Sequence, residues 1–179
     1  MIPVLTAREI NPSDVPFIVS YWVDSDPAFL QSMGVDLEKL PTRESLETVL
    51  QKQIETPLEE KRSYCIIWEA DNQPIGHCNT NPTYYGEEAY MHLHLWDKAE
   101  RKKGTGLQLL KITVPIFFKN LQLNTLYCEP YALNEAPNKT LERLGFDLEK
   151  EYTTIPGSIN FEQPVKRWVL SRAKFDSIF

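Results

Sequence analysis

The stretch that decides the fold runs from His92 to Gly106 and reads HLHLWDKAERKKGTG. Residues 89–96 alternate between polar and apolar side chains, which is the pattern of a half-buried strand. Two glycines, Gly104 and Gly106, follow, and an apolar stripe with helical spacing begins directly after them. The sequence therefore predicts a strand, a short cationic loop and a helix in immediate succession.

This loop has the features of an anion site. Glycine lets the backbone approach a ligand closely, and the first amides of a helix point outward with a partial positive charge. We therefore predict that the loop binds a phosphate group. It contains neither the phosphate-loop spacing of nucleotide hydrolases nor a complete dinucleotide fingerprint. The residues assigned to the anion are Arg101, Lys102, Lys103, Gly104, Thr105 and Gly106.

On both sides of this loop, the order of predicted strands and helices indicates an α/β or α+β domain with a mixed sheet. We expect a single domain spanning residues 1–179. Pro115 lies inside the helix after the loop and predicts a kink or a restart there. The predicted strands lie near residues 4–10, 63–69, 74–81, 89–96, 124–129, 146–153 and 164–171, and the helices near 11–22, 42–54, 105–120 and 136–144, with a short helical piece near 29–33.

Composition excludes several classes of protein. The net charge of −6 argues against a nucleic-acid partner that is bound through phosphate contacts. The 3 cysteines form no CxxC pair, so a disulfide framework or a cysteine zinc site is not expected. No signal peptide and no membrane-spanning run is visible. We expect a cytoplasmic protein without a membrane partner, as a monomer or homodimer.

All 3 histidines fall in two neighbouring predicted strands. Alternation places His92 and His94 on one face of their strand, and His77 and Asn79 on one face of the preceding strand. If the turn between the strands centres near residues 85–86, His77 lies opposite His94 and Asn79 lies opposite His92. One face of the sheet would then carry a cluster of polar side chains.

Three interpretations of this cluster stay open. A histidine can accept a proton near neutral pH and so act as a general base, with Glu129 on a neighbouring strand orienting it or holding a substrate cation. Three histidines on one face could instead hold zinc in a small hydrolase or a metal-binding module. The histidines could also be half-buried polar residues with satisfied hydrogen bonds. We predict the first, without a metal.

A second segment, NEAPNKTLERLGF at residues 134–146, contains a motif that is informative when it is considered together with the cationic loop. The R-x-x-G-x-G of residues 101–106, followed by a helix, a strand, the N-x-x-P of residues 134–137 and the L-G-F of residues 144–146, resembles the GCN5-related N-acetyltransferase (GNAT) superfamily. The resemblance implies a mixed, mostly antiparallel sheet of about seven strands flanked by about four helices. It also implies an enzyme that moves an acetyl group from acetyl-CoA, its cosubstrate, to a primary amine by direct attack in a ternary complex.

The resemblance assigns cofactor roles residue by residue. The loop of residues 101–106 would hold the CoA pyrophosphate. Leu95 and Trp96 would offer backbone groups to the pantetheine arm, and Asn134, together with Asn138, would contact its amides. His94 becomes the first candidate for the base and His92 the second, because His94 lies nearest the end of the strand where we expect the thioester.

One position departs from the family pattern. The tyrosine that many members use to protonate the departing thiolate is replaced by Leu141. Another group, such as Tyr131 or Cys128, or water, must then supply the proton. The departure also permits the alternative of a module that binds acyl-CoA without catalysis.

The family places the acceptor pocket under its first helices and the loop before the histidine strand. This implies substrate contacts for Trp22, Tyr84 and Tyr85, besides His77 and Asn79, although core packing is an equal alternative for Trp22. Two branches of the superfamily are similar to this chain. The dipeptides at 92–93 and 129–130 and the R-x-x-F at 172–175 favour the aminoglycoside and siderophore acyltransferases over the protein N-terminal acetyltransferases.

Overall fold

A seven-stranded open sheet forms the centre of the computed structural model, which describes residues 3–96 and 104–179. The strand order is β1-β2-β3-β4-β5-β7-β6, and the one parallel pair among these strands is β4 with β5. This architecture confirms the predicted mixed, mostly antiparallel sheet. The strands are β1 Leu5–Glu9, β2 Tyr64–Ala70, β3 Gln73–Tyr84, β4 Glu88–Leu95, β5 Thr125–Cys128, β6 Asp147–Thr154 and β7 Gln163–Ser171.

Six α-helices accompany the described sheet, two more than the predicted four. They are α1 Val15–Val23, α2 Pro27–Ser32, α3 Arg43–Glu55, α4 Thr105–Asn120, α5 Glu135–Leu144 and α6 Arg172–Ile178. Helix α2 corresponds to the predicted short helical piece. Helix α6 was missed because it continues directly from β7, without a glycine or proline between them. The available signal was Ser171, whose side chain accepts a hydrogen bond from the Lys174 backbone and caps the helix.

The caps that set the helix boundaries agree with the sequence. Asn11 and Asp14 form a capping box before α1, and the Thr42 side chain accepts from the Ser45 backbone at the start of α3. Gly145 ends α5 in the left-handed region, at φ +98°. Each of these boundaries is confirmed.

Helix α4 runs without interruption through Pro115, so the prediction of a restart is wrong. Proline removes only one backbone donor from the helix. On either side of it, Leu110, Val114, Phe117 and Phe118 are completely buried against the sheet. Burial of side chains of this size is worth about 1.5–3 kcal/mol each, which outweighs the lost hydrogen bond.

The sheet separates two apolar cores. In β2, Ile66 and Trp68 face the core under α4, whereas Cys65 and Ile67 face a smaller core formed with α1 and α3. This alternation follows from the pleat, which sends successive side chains to opposite faces. The face under α1 is the one that carries the histidines, because Tyr21 of α1 contacts both His77 and His94 there.

Two pairings position the functional face. The register of β3 with β4 places His77 opposite His94 and Asn79 opposite His92, as the sequence predicted. The parallel pairing of β4 with β5 covers only residues 88–90 and 125–127. Beyond Tyr90 the two strands separate, and a gap opens along the remaining length of β4.

The close approach of β3 to β4 predicts the effect of one substitution. A Cβ at Gly76 would lie 2.4 Å from the backbone oxygen of His94. Gly76→Ala should therefore lower the free energy of unfolding by about 1–3 kcal/mol, the usual cost of overpacking. Urea denaturation monitored by circular dichroism measures this change.

The matched control is Gly106→Ala. Within the described residues, a Cβ there meets only the Leu95 side chain, at 3.8 Å, and the position is helical. This variant should gain about 0.5–1 kcal/mol, because alanine favours a helix over glycine. Equal stabilities of the two variants would contradict the proposed packing at Gly76.

Candidate active site

A cleft of 520 Å³ lies between the histidine face of the sheet and the segments that cover it. Helices α1 and α3, the chain after α2, the turn after β5 and the segment before β7 all contribute to its walls. The predicted site residues that line it are Trp22, His77, Asn79, His92, His94, Glu129 and Asn134. The structure therefore brings together side chains from helix α1, strands β3 and β4, and the turn after β5.

His77 is held as a neutral ring. It is 3% exposed, and its Nδ1 accepts a hydrogen bond of 2.8 Å from the indole Nε1 of Trp96. Burial, and to a smaller extent the charge of nearby His92, lowers the pKa of His77 from its ordinary value to about 3. His77 therefore cannot serve as a general base near neutral pH, although it can contact a substrate.

His92 is half-buried and has a defined tautomer. Its Nε2 lies 2.8 Å from the carbonyl oxygen of Asn81. A carbonyl can only accept, so Nε2 carries the proton and Nδ1 keeps the lone pair. Burial lowers the pKa of His92, while the hydrogen bond to Asn81 and the charge of Glu129 act in the opposite direction. The net shift is downward, so His92 is a neutral proton acceptor near pH 7.

His94 lies within a group of aromatic rings. Its Nδ1 is 3.2 Å from the hydroxyl of Tyr21, and its ring stacks on His77 with centroids 4.7 Å apart. Trp22 packs edge-on against the same ring at 4.9 Å. Trp22 therefore belongs both to the apolar packing under α1 and to the wall of the cleft.

Glu129 is engaged with partners that the sequence analysis did not identify. The Glu129 carboxylate accepts one hydrogen bond from Arg167 Nε, at 2.5 Å, and another from the Tyr152 hydroxyl. The side chain of Glu129 is 9% exposed. Among the described residues, no histidine lies within hydrogen-bonding distance of Glu129. Its influence on His92 is electrostatic. Arg167 and Tyr152 lie on the last two strands, and no sequence motif marked either one.

The gap between β4 and β5 is lined by backbone groups of alternate residues in β4. The Trp96 backbone N–H donates to the Ile75 carbonyl at 2.9 Å. Because backbone groups alternate in direction along an antiparallel ladder, Leu93 and Leu95 direct theirs towards β5. Leu95 thus has the predicted orientation. The prediction for Trp96 is corrected in part, since its N–H is already used in the pairing with β3.

The start of α4 lies at the open end of this gap. Gly104 adopts φ +80°, and no atom of the described residues lies within 4 Å of the position that a Cβ would occupy. Thr105 is buried, and Gly106 lies against the Leu95 side chain. Open space above a helix N-terminus is what an anion requires. The predicted contacts of Arg101, Lys102 and Lys103 lie outside the described residues.

The two asparagines at the start of α5 differ in their surroundings. Asn134 occupies the N-cap position, yet its side chain makes no capping bond, and the residue lines the cleft. The Asn138 amide donates to the Tyr131 and Asn134 carbonyls and accepts from Trp168 Nε1. All hydrogens and the oxygen of the Asn138 amide therefore have partners inside the protein, so its observed role is to hold the turn before α5.

Tyr84 and Tyr85 do not line the cleft, and the prediction that they wall the acceptor pocket is corrected here. They are 40% and 37% exposed at the far end of β3. The turn that follows them binds the end of α4, since the Gly86 N–H donates to the Leu121 carbonyl. The physical reason is the length of β3, whose 12 residues extend beyond the cleft.

Two further features bear on the alternatives. Within residues 3–96 and 104–179, no group of three or more His, Cys, Asp or Glu side chains is arranged to hold a metal ion. In the same residues, no helix is both long enough and apolar enough to cross a membrane. The histidine rings form their observed hydrogen bonds with Trp96, Asn81 and Tyr21.

The sequence matches the acetyltransferase (GNAT) domain family over residues 5–147. The chain belongs to this family. It is therefore an acyl-CoA-dependent N-acetyltransferase, and acetyl-CoA is its cosubstrate. No curated protein sequence matches it significantly.

Solved structures share the fold. RimL, a ribosomal L7/L12 alpha-N-protein acetyltransferase in complex with coenzyme A, superposes with a TM-score of 0.76 at 19% identity, over 95% of both chains. A spermidine N-acetyltransferase from Vibrio cholerae in complex with CoA and spermine gives 0.77 at 20% identity, over 96% of this chain and 97% of its own. At these identities the similarity shows the fold alone.

The buried neutral state of His77 predicts a pH dependence of stability. The unfolded chain binds a proton at the ordinary pKa of 6.5, whereas the folded chain binds it only near 3. Stability should therefore fall as the pH drops from 6.5 towards 3, by up to about 1.4 kcal/mol per pH unit from this group. Urea unfolding at several pH values should show a shallower slope in His77→Gln.

Measurements above pH 7 provide the control for this comparison of the wild type with His77→Gln. At those pH values, His77 of the wild type is neutral in both the folded and the unfolded state. The stabilities of the two proteins should then differ by a constant amount. A slope below pH 6.5 that is unchanged in the variant would mean that His77 binds its proton normally in the folded protein.

Proposed function

We propose that this enzyme acetylates a primary amine by direct attack on acetyl-CoA in a ternary complex. One observation supports this most strongly. Strand β4 borders the gap beside β5 with its backbone and presents His92 and His94 to the cleft with its side chains. A cofactor arm in the gap and an amine in the cleft would meet across a single strand. This proximity supplies much of the rate acceleration in such reactions.

The cofactor would lie along β4. The pyrophosphate would bind at the N-terminus of α4 above Gly104, and the pantetheine would follow the backbone of Leu93 and Leu95. Asn134, whose amide does not cap its own helix, would contact the arm from the opposite side of the gap. Arg101, Lys102 and Lys103 remain predicted contributors to the pyrophosphate site, and Asn138 would act only by shaping the turn.

The geometry favours His92 over His94 as the base. The pyrophosphate end of the cofactor follows Trp96, so the thioester must lie at the other end of the gap, where β4 leaves β5 after Tyr90. His92 is closer to that point, and its Nδ1 retains the lone pair. This reverses the order that the sequence suggested.

The reaction then proceeds with a complete proton balance. The amine loses its proton to His92 Nδ1, directly or through water. The neutral amine nitrogen then bonds to the acetyl carbon as the carbon–sulfur bond breaks. The nitrogen releases its second proton to solvent as the amide forms, and the leaving sulfur takes up one proton from a donor. Tyr131 is our candidate for that donor, because it lines the cleft beside Asn134. Leu141 is fully buried, and burial raises the pKa of the Cys128 thiol well above its ordinary value.

The charge of the cleft favours an acceptor with one amine. Among the described residues that line the cleft, Glu129 alone is acidic, and Arg167 neutralises it. Lys39 also lines the cleft, and its ammonium group pairs with Asp36 at 3.4 Å. A polyamine such as the spermine bound by the Vibrio cholerae enzyme carries several ammonium groups, which would find no carboxylate partner here. A panel of amines assayed for acetyl-CoA consumption tests this preference.

The pyrophosphate site can be tested at Gly104. Gly104→Asp adds a negative charge where we place the phosphates and should weaken CoA binding by tenfold or more, about 1.4 kcal/mol. Gly104→Asn is the matched control, because asparagine has the same size, tolerates the left-handed conformation and carries no charge. Calorimetric titration measures both affinities. Equal loss in the two variants would indicate backbone strain rather than charge, and unchanged affinity in both would contradict the site.

The base can be tested by pH–rate profiles. With a weakly basic amine, kcat/KM should rise with pH through an apparent pKa below the ordinary histidine value, since burial lowers the pKa of His92. His92→Gln should remove this limb and reduce kcat by about 10²–10⁴-fold, the range for general base catalysis.

His94→Gln is the comparison variant for this test. It should retain the limb if His92 is the base. If only His94→Gln loses this limb of the pH–rate profile, His94 is the base, as the sequence suggested. Intact profiles in both variants would assign deprotonation to water.

A further inference from the structure

The indole of Trp96 makes a hydrogen bond that the acetyl-transfer scheme above does not use. Its Nε1 donates to His77 Nδ1 at 2.8 Å. An indole N–H can donate but cannot accept, so His77 Nδ1 must present a lone pair. In a neutral imidazole the single proton then resides on Nε2. The direction of this one bond defines the tautomer of His77.

Packing holds both rings in place. The Trp96 ring stacks on Phe17, with centroids 5.9 Å apart and an interplanar angle of 17°. His77 stacks on His94 on one side and meets the edge of Tyr21 at 5.8 Å. These contacts leave the imidazole little freedom to turn over and exchange its two nitrogens.

The remaining polar atom of the His77 ring is Nε2. Among the described residues it has no hydrogen-bond partner, and His77 lines the cleft. The titratable groups that face the ring are His92, His94 and Tyr21, and none of them is a carboxylate that would stabilise an imidazolium. Burial therefore keeps His77 neutral, and the N–H at Nε2 persists across the physiological pH range.

We propose that Trp96 is a positioning residue that fixes His77 as the Nε2–H tautomer, and that this N–H binds an oxygen atom of the acceptor next to its amine. The inference rests on the proposed function. The partner is assigned to the acceptor rather than to the thioester, because β3 lies one strand further from the gap than β4. An N–H donor cannot bind an ammonium group, so the cleft should select amines that carry a neighbouring carbonyl or hydroxyl oxygen.

The tautomer can be measured without any enzymatic assay. Nitrogen-15 NMR of the wild-type protein should show the His77 proton on Nε2, without change between about pH 5 and 8. Trp96→Phe keeps the aromatic stack on Phe17 but removes the donor, and should produce a mixture of both tautomers. A proton on Nδ1 in the wild type, or titration of His77 near the ordinary histidine value, would overturn the assignment.

The acceptor preference is tested by a pair of amines of similar size, alaninamide and sec-butylamine, of which only the first has an oxygen. Relative to the wild type, Trp96→Phe and His77→Phe should lower kcat/KM for alaninamide by roughly 2- to 10-fold more than for sec-butylamine, the worth of one neutral hydrogen bond. The CoA affinity should stay the same in both variants.

Trp68→Phe is the matched control. It removes an equivalent indole donor, which binds Thr113 in the core on the other face of the sheet. This variant should lose stability, but it should keep the His77 tautomer. The ratio of kcat/KM for alaninamide to kcat/KM for sec-butylamine should also stay as in the wild type. A ratio that changes equally in Trp68→Phe and Trp96→Phe would overturn the positioning role.

The outcomes separate this inference from the proposed function. If the wild type acetylates neither these amines nor a wider panel, the proposed function fails and the acceptor contact fails with it, while the NMR result still decides the role of Trp96. If both amines are acetylated and the ratio is the same in every variant, the acceptor contact is wrong and the proposed function stands.

Discussion

The separation of β4 from β5 after Tyr90 is the constraint on which the rest of the site depends. Backbone N–H and C=O groups need hydrogen-bond partners, and a buried group without one costs about 1–3 kcal/mol. Among the described residues, the pairing of β4 with β5 does not continue beyond Tyr90, and a ligand with amide groups of its own can bind along that edge. The pantetheine arm of the cosubstrate has such amides, and it can replace the missing strand.

Burial beneath α1 determines the protonation state of the histidines in the cleft. An amine can attack a thioester only in its neutral form, and imidazole accepts its proton only while it is itself neutral. The apolar packing of α1 and α3 lowers the pKa values of His77 and His92, so both rings are uncharged at neutral pH. The hydrogen bonds of Trp96 and Asn81 then determine which nitrogen of each ring carries the proton. One histidine becomes a donor and the other an acceptor.

The sequence predicted those features that depend on local chemistry. Gly104 and Gly145 were identifiable because only glycine readily adopts the backbone angles found there. The histidine register followed from alternation and the position of one turn. The roles of Asn138 and Trp96 could not be predicted in the same way, because each depends on a partner that is distant in the sequence. Asn138 of α5 binds Trp168 of β7, and Trp96 binds His77 of β3. The tyrosines at the end of β3, Tyr84 and Tyr85, were misplaced because the sequence does not show how far that strand extends beyond the cleft.

The most direct test of the account is a crystal structure of the enzyme with CoA bound. The account predicts that the pantetheine lies between β4 and β5 along Leu93 and Leu95, and that the sulfur lies beside Met91 and His92, facing the cleft. A sulfur on the opposite face of the sheet would contradict the account, as would CoA bound elsewhere while β4 and β5 close the gap between them.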